Sequence, residues 1–140
     1  SILMLGDSPE LATVSETISL EARFKVKGDA EGVLLNKAGS YSLYWNSAGG
    51  LSCVFHTETG PLEAYQNAGF DDSHWHHVVC TFDGTGVNLF LDANLVAIAL
   101  VESGSTTTVK SDTTARVTAG ADAALSSASF FNGYLDEIRI

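Results

Sequence analysis

A two-residue hydrophobic period, running through most of the chain, constrains its fold more than any other feature. Ile18-Ser-Leu20-Glu-Ala22-Arg-Phe24-Lys-Val26 alternates apolar and polar side chains without a break. Successive residues of a β-strand face opposite sides, so this pattern describes a strand with one buried and one solvated face. Shorter segments of the same kind recur at 33–37, 41–45, 51–56, 75–82, 87–91, 95–101, 115–120 and 130–140. Asn46-Ser-Ala-Gly-Gly50 reads as the turn of a hairpin joining 41–45 to 51–56. Asp83-Gly-Thr-Gly86 is a second hairpin turn, because glycine tolerates the positive φ such turns require. Residues 57–73 read as a long loop, and the Ser- and Thr-rich 103–112 as a loop or an exposed edge strand. A helix over 121–129 is disfavoured by Ser126-Ser127 and by its shortness. Many short strands without a long helical segment predict one all-β domain, residues 1–140, built as an antiparallel two-layer sandwich or barrel.

Composition narrows the partners. The 140 residues suit one domain with a substantial core, and 45% hydrophobic against 17% charged residues is a globular balance. Seventeen Asp and Glu face seven Lys and Arg, a net charge of −10. Such a surface repels phosphate backbones and anionic membranes, so no nucleic-acid partner is expected. Acidic loops suit hard cations such as calcium. The longest apolar stretch, 89–101, is broken by Asp92 and Asn94 and falls short of the roughly 20 residues that span a bilayer, so membrane insertion is not expected. The chain starts at Ser1 without a basic flank or initiator Met, as an excised or processed domain would. Cys53 and Cys80 both fall on apolar strand faces, where free core thiols are the expectation; a disulfide stays open if the two strands are neighbours.

Trp75-His-His77-Val-Val-Cys-Thr81-Phe-Asp83-Gly84, followed by Asn88-Leu-Phe-Leu-Asp92, resembles the W-x-H-V-A-x-T-Y-D-G and L-Y-V-D-G patterns of laminin G-like domains. Phe131-Asn-Gly133-Tyr-Leu-Asp136-Glu137-Ile-Arg-Ile140 is similar to their closing strand, in matching order and spacing. Ala93 departs from the family's usual glycine, so that hairpin turn is expected to differ. The resemblance implies a laminin G-like, concanavalin A-like jelly roll in an extracellular, cell-surface or virion protein, with a glycan or cell-surface ligand as partner. It also implies a structural calcium ion on Asp136, with backbone carbonyls near Asp7 and Gly28. The family's rim calcium site expects an aspartate before the strand at Tyr41, where this chain has Gly39-Ser40.

The residues themselves support some of these roles. A carboxylate turned inward at Asp136 would need a partner, which a calcium ion or an ion pair would supply. His74 and His76 share a strand face while His77 points away, so the three cannot converge on one zinc ion, and structural hydrogen bonding is the better reading. The paired-carboxylate Glu-x-Asp-x-x-Glu run of glucanases is missing, Asp136 and Glu137 face opposite sides, and no nucleophile elbow or phosphate loop occurs; no catalytic residues are expected. For ligand binding, Trp45 beside the 46–50 turn is expected to be partly exposed, with Tyr44, Asn46 and Tyr65 as companions. Trp75 is expected to anchor the core or a hairpin. The function read from the sequence is therefore a non-catalytic recognition module for carbohydrate. The rival is a protein-interaction or structural domain, possible as an oligomer.

Overall fold

A computed structural model describes residues 3–5, 16–28, 30–67, 73–112, 114–122 and 124–140. Eleven strands form along these residues: β1 Leu3–Leu5, β2 Ile18–Val26, β3 Gly32–Lys37, β4 Tyr41–Trp45, β5 Leu51–Thr57, β6 Gly60–Gln66, β7 His76–Phe82, β8 Gly86–Leu91, β9 Asn94–Leu100, β10 Val117–Ala119 and β11 Gly133–Arg139. They pair into two antiparallel sheets, one in the order β1-β10-β3-β4-β5-β6 and one in the order β11-β2-β7-β8-β9. The two-layer sandwich predicted from the alternating pattern is what the chain forms.

The alternation also builds the core. From β2, the residues Leu20, Ala22 and Phe24 are fully buried, and Leu43, Trp45, Leu51 and Phe55 meet them from the other sheet. Phe55 and Phe82 stack between sheets with centroids 5.4 Å apart, and Phe24 meets Trp45 at 6.2 Å. Offset and tilted aromatic pairs at such distances add about 1 kcal/mol each beyond burial.

Four expectations need correction. Cys53 and Cys80 are not free thiols: they form a disulfide, their Cα atoms 6.5 Å apart. The disulfide left open for neighbouring strands forms between strands that neighbour across the sandwich. The cysteines lie on β5 and β7, in different sheets, and meet across the core because both face inward. Trp45 is completely buried rather than partly exposed, and Trp75 is 44% exposed rather than a core anchor. Residues 57–73 do not form one long loop, since 60–66 is the edge strand β6. Pro61 obscured that strand; it is tolerated because an edge strand has one side with no ladder to join. At the β8–β9 turn, Asp92 and Ala93 both take positive φ, 48° and 68°, as a two-residue primed turn requires.

Segment 103–112 runs mainly as a loop, touching β5 through an isolated Thr57–Val109 bridge. Among the described residues of 121–129, a 3-10 turn forms at Ser127–Ser129.

Candidate functional site

The outer face of the six-stranded sheet carries a cleft. Strand register places Tyr44 opposite Ser52 and Ser52 opposite Tyr65, so β4, β5 and β6 contribute one side chain each to a single row. Adjacent strands lie about 4.8 Å apart, which puts the two tyrosine stems roughly 10 Å from each other with a small serine between. The result is a slot of about 340 Å³, with Ser52 as floor and Glu31, Glu63 and Asn67 among its other lining residues. A second hollow of about 430 Å³ adjoins it past Glu31 and Tyr44 and reaches Asp122 and Ser126.

The hairpin at one end of the slot is organised by Asn46. Its Oδ1 accepts hydrogen bonds from the backbone N–H groups of Ala48 and Gly50, both at 3.0 Å. Its Nδ2 lies 3.2 Å from Ser52 Oγ and 3.2 Å from Asn67 Oδ1, and 3.4 Å from the Gln66 carbonyl. Asn46 therefore ties β4, the floor serine and the end of β6 together. Gly50 is needed for the same closure, because a Cβ there would collide with the Gln66 carbonyl.

On the rim, Tyr44 donates its hydroxyl proton to Glu63 Oε1 at 3.0 Å. Burial chiefly raises the Tyr44 phenol above its ordinary value; a hydrogen bond with Ser52 opposes the rise, and the Glu63 and Glu31 carboxylates add to it. The phenol thus stays protonated and a donor. Tyr65 is 56% exposed, offering an open ring to a ligand. The slot combines aromatic walls with carboxylate acceptors, an arrangement suited to hydroxyl-rich, uncharged molecules.

Three of the four residues expected to bind ligand, Tyr44, Asn46 and Tyr65, meet at this slot. Trp45 does not, because it is one residue out of phase with Tyr44 and points into the core. Asn46 is buried and engaged with the hairpin, so it positions the slot. Glu63, Ser52 and Glu31 were missed. The signal for Glu63 was the alternation of Leu62 and Ala64 with Glu63 and Tyr65, hidden behind Pro61.

Asp136 and Gly28, the two expected metal ligands among the described residues, do not come together. Asp136 is exposed on the outer face, because Leu135 takes the inward register beside Phe24. A bulge follows, with Glu137 at φ 49° and a shifted register before Arg139. Asp136 pairs with Arg23 on β2, whereas Gly28, two residues past the end of that strand, lies against Asn132, four residues before Asp136. Calcium ligands lie within about 2.6 Å of the ion, so these two residues cannot share one. Asp7 lies outside the described residues. Among the described residues, no three His, Cys, Asp or Glu side chains group as a metal site.

The histidines divide as their alternation predicted. His76 Nδ1 meets Asp92 Oδ2 at 2.7 Å on one side, and His77 Nε2 meets Glu21 Oε1 at 2.7 Å on the other. The carboxylates whose pKa the fold moves are held low by such contacts. Glu21 is lowered chiefly by the His77 hydrogen bond, while Asp83 and Asp112 are lowered by the hydroxyls and amides of their own turns. Burial pushes Asp92 up, but the hydrogen bonds from His76 and from the His77 N–H outweigh it and bring it down. These shifts strengthen structural anions and supply no general acid.

A laminin G family model, described as the concanavalin A-like lectin/glucanases superfamily, matches residues 3–140. The chain belongs to this superfamily. No curated protein matches it. Among solved structures, the LG1-3 region of the laminin α2 chain superposes with a TM-score of 0.68 at 16% identity, covering 99% of this chain and 29% of that one. Domains LG4-5 of the mouse laminin α1 chain give 0.66 at 19% identity, over 90% of this chain and 35% of theirs. The chain thus spans about a third of these laminin fragments. A CBM40 module of the Ruminococcus gnavus IT-sialidase, bound to α2,3-sialyllactose, gives 0.63 at 16% identity over 89% of this chain and 76% of its own. At such identities the likeness is one of fold.

Proposed function

We propose that this domain is a non-catalytic carbohydrate-recognition module of an extracellular, cell-surface or virion protein, and that it holds an uncharged saccharide in the Tyr44–Tyr65 slot. The observation that carries this reading is the row Tyr44–Ser52–Tyr65, which leaves a ring-sized gap between two aromatics. A pyranose lying there packs its C–H face on Tyr65 and donates hydroxyl protons to Glu63 and Glu31. The same carboxylates repel an anionic sugar. The Ruminococcus gnavus module, which has this fold and is seen with sialyllactose, supports a saccharide ligand in general, while the uncharged class proposed here rests on Glu31 and Glu63 alone. Calcium has no part in the proposed contacts.

Titration calorimetry against a panel of neutral oligosaccharides, with calcium and with EDTA, tests the reading. Binding of at least one member is expected, unchanged by EDTA and weakened at least tenfold by Tyr65→Ala and Glu63→Gln. A panel without any binder, or binding indifferent to both variants, overturns it.

A protein-interaction role is favoured by a different observation. The edge strand β9 carries no charged residue and exposes Leu95, Ile98 and Leu100 at 50%, 53% and 71%. An apolar sheet edge is a template for another strand. If that role prevails, light scattering will show a concentration-dependent oligomer that Ile98→Lys disperses, and no saccharide will bind.

A further inference from the structure

The opposite sheet gathers positive charge that the slot does not use. Arg23 and Lys25 stand at alternate positions and face outward from β2, and the exposed Lys27 follows one residue past the strand's end. They are three of the chain's seven Lys and Arg residues, in a chain of net charge −10. Two exposed aromatics flank them. Tyr134 of β11 stands opposite Lys25 in register, and Trp75 precedes the His76 that pairs with Phe24. The two rings approach each other to 6.4 Å between centroids, with Trp75 44% and Tyr134 49% exposed.

The cations are seated on these rings. The Arg23 guanidinium lies 5.7 Å from the Trp75 ring centre, and the Lys27 ammonium 5.6 Å from that of Tyr134. Such contacts hold a cation in place while leaving its charge available. Among the described residues, none of the three cations forms an ion pair, whereas Arg139 and His77 nearby are both taken up by Glu21. Asp136, opposite Arg23, tempers that end of the row, so the positive potential is strongest towards Lys25 and Lys27.

We propose that Lys25, Lys27, Arg23, Trp75 and Tyr134 form a second saccharide site, specific for a sugar bearing a carboxylate or sulfate. The anion meets the lysine ammonium groups while the ring packs on the exposed aromatic edges. The patch has the extent of one or two pyranoses, and the surrounding net negative charge disfavours a nucleic acid or an anionic bilayer, each of which needs a wide basic surface. The site is distinct from the Tyr44–Tyr65 slot and stands without it, since the two lie on outer faces of different sheets.

The experiment uses the 140-residue chain with calorimetry at low and at high salt. The probes are a sulfated disaccharide, a glucuronate-containing disaccharide and neutral lactose, which separate sulfate from carboxylate recognition and both from the uncharged sugar. At least one acidic probe is expected to bind tenfold or more tightly than lactose. The double variant Lys25→Gln/Lys27→Gln and the single variant Trp75→Ala should each weaken that binding at least tenfold, and high salt should weaken it too. Both variants change exposed side chains, and an unaltered circular dichroism melt confirms that the fold persists. Tyr65→Ala should leave acidic-probe binding intact. The proposal is overturned if acidic probes bind no better than lactose, or if Tyr65→Ala rather than the lysine variant removes them. Equal affinity for duplex DNA or phosphatidylserine vesicles, lost in the same lysine variant, also overturns it, as a general polyanion patch.

Discussion

Tyr44 and Trp45 are consecutive residues of β4 that face opposite sides of the six-stranded sheet: the indole is fully buried against Phe24, and the phenol donates to Glu63 on the outer surface. The two substitutions should therefore separate cleanly. Trp45→Ala empties the centre of the core and is expected to cost about 3–5 kcal/mol of stability. Tyr44→Phe removes one hydrogen bond at a half-buried position and should cost about 1 kcal/mol or less, while weakening saccharide binding. Urea denaturation measures the first quantity and calorimetry the second. Equal destabilisation by both would show that β4 is not oriented as described.

The Cys53–Cys80 bond crosses from β5 to β7 and closes a segment of 27 residues. Loop-closure entropy alone assigns such a cross-link about 3.5 kcal/mol of stabilisation through the unfolded chain. The double variant Cys53→Ala/Cys80→Ala should lower stability by about 3 kcal/mol or more, since two buried sulfurs are lost as well. Guanidinium midpoints with and without reductant provide the check. Superimposable curves for oxidised and reduced protein would mean that the bond is not formed.

How much of this was legible in the sequence depended on whether a signal was local. Alternation in 18–26 fixed which side of β2 is buried, and the same rule, applied to Tyr44 and Trp45, shows that both could not line one surface. Preferring Trp45 for its position beside the turn ignored that phase. Pairing between sheets leaves no local mark, which is why Cys53 and Cys80 did not announce each other. The same holds for the slot: Ser52 matters only because strand register sets it between Tyr44 and Tyr65. The Arg23-x-Lys25-x-Lys27 row was readable from alternation, but its meaning came from Trp75 and Tyr134, which are distant in sequence. Asp136 was misplaced because Leu135 supplies the inward side chain at that point of β11.

The β8–β9 turn carries a local conflict. Ala93 holds φ at 68°, where a Cβ is crowded and glycine is not. Replacing it relieves about 1–2 kcal/mol of backbone strain, offset in part by the greater freedom glycine gives the unfolded chain. Ala93→Gly should therefore raise stability by about 0.5–1 kcal/mol, read as a higher thermal midpoint. An equal or lower midpoint would mean that the turn does not use a left-handed residue there.

The outer face of β2 makes acid stability depend on Glu21. Its carboxylate accepts from His77 Nε2 at 2.7 Å and from Arg139 Nη1 at 3.1 Å. The His77 hydrogen bond is the largest influence and lowers the Glu21 pKa; partial burial opposes it, and the Arg139 charge reinforces the lowering. The folded value therefore lies below the ordinary 4.5, so the unfolded chain takes up the proton first as pH falls. The stability Glu21 contributes is fully present above 4.5 and is lost as pH drops through the folded value. Glu21→Gln should then be less stable than the parent at neutral pH, with the gap closing in acid. Urea midpoints for both proteins from neutral pH to about pH 2 test this. A gap that stays constant into acid would show that the carboxylate's charge contributes nothing to the fold. Added salt should narrow the gap at neutral pH, because the Arg139 guanidinium is largely exposed and its attraction is screened.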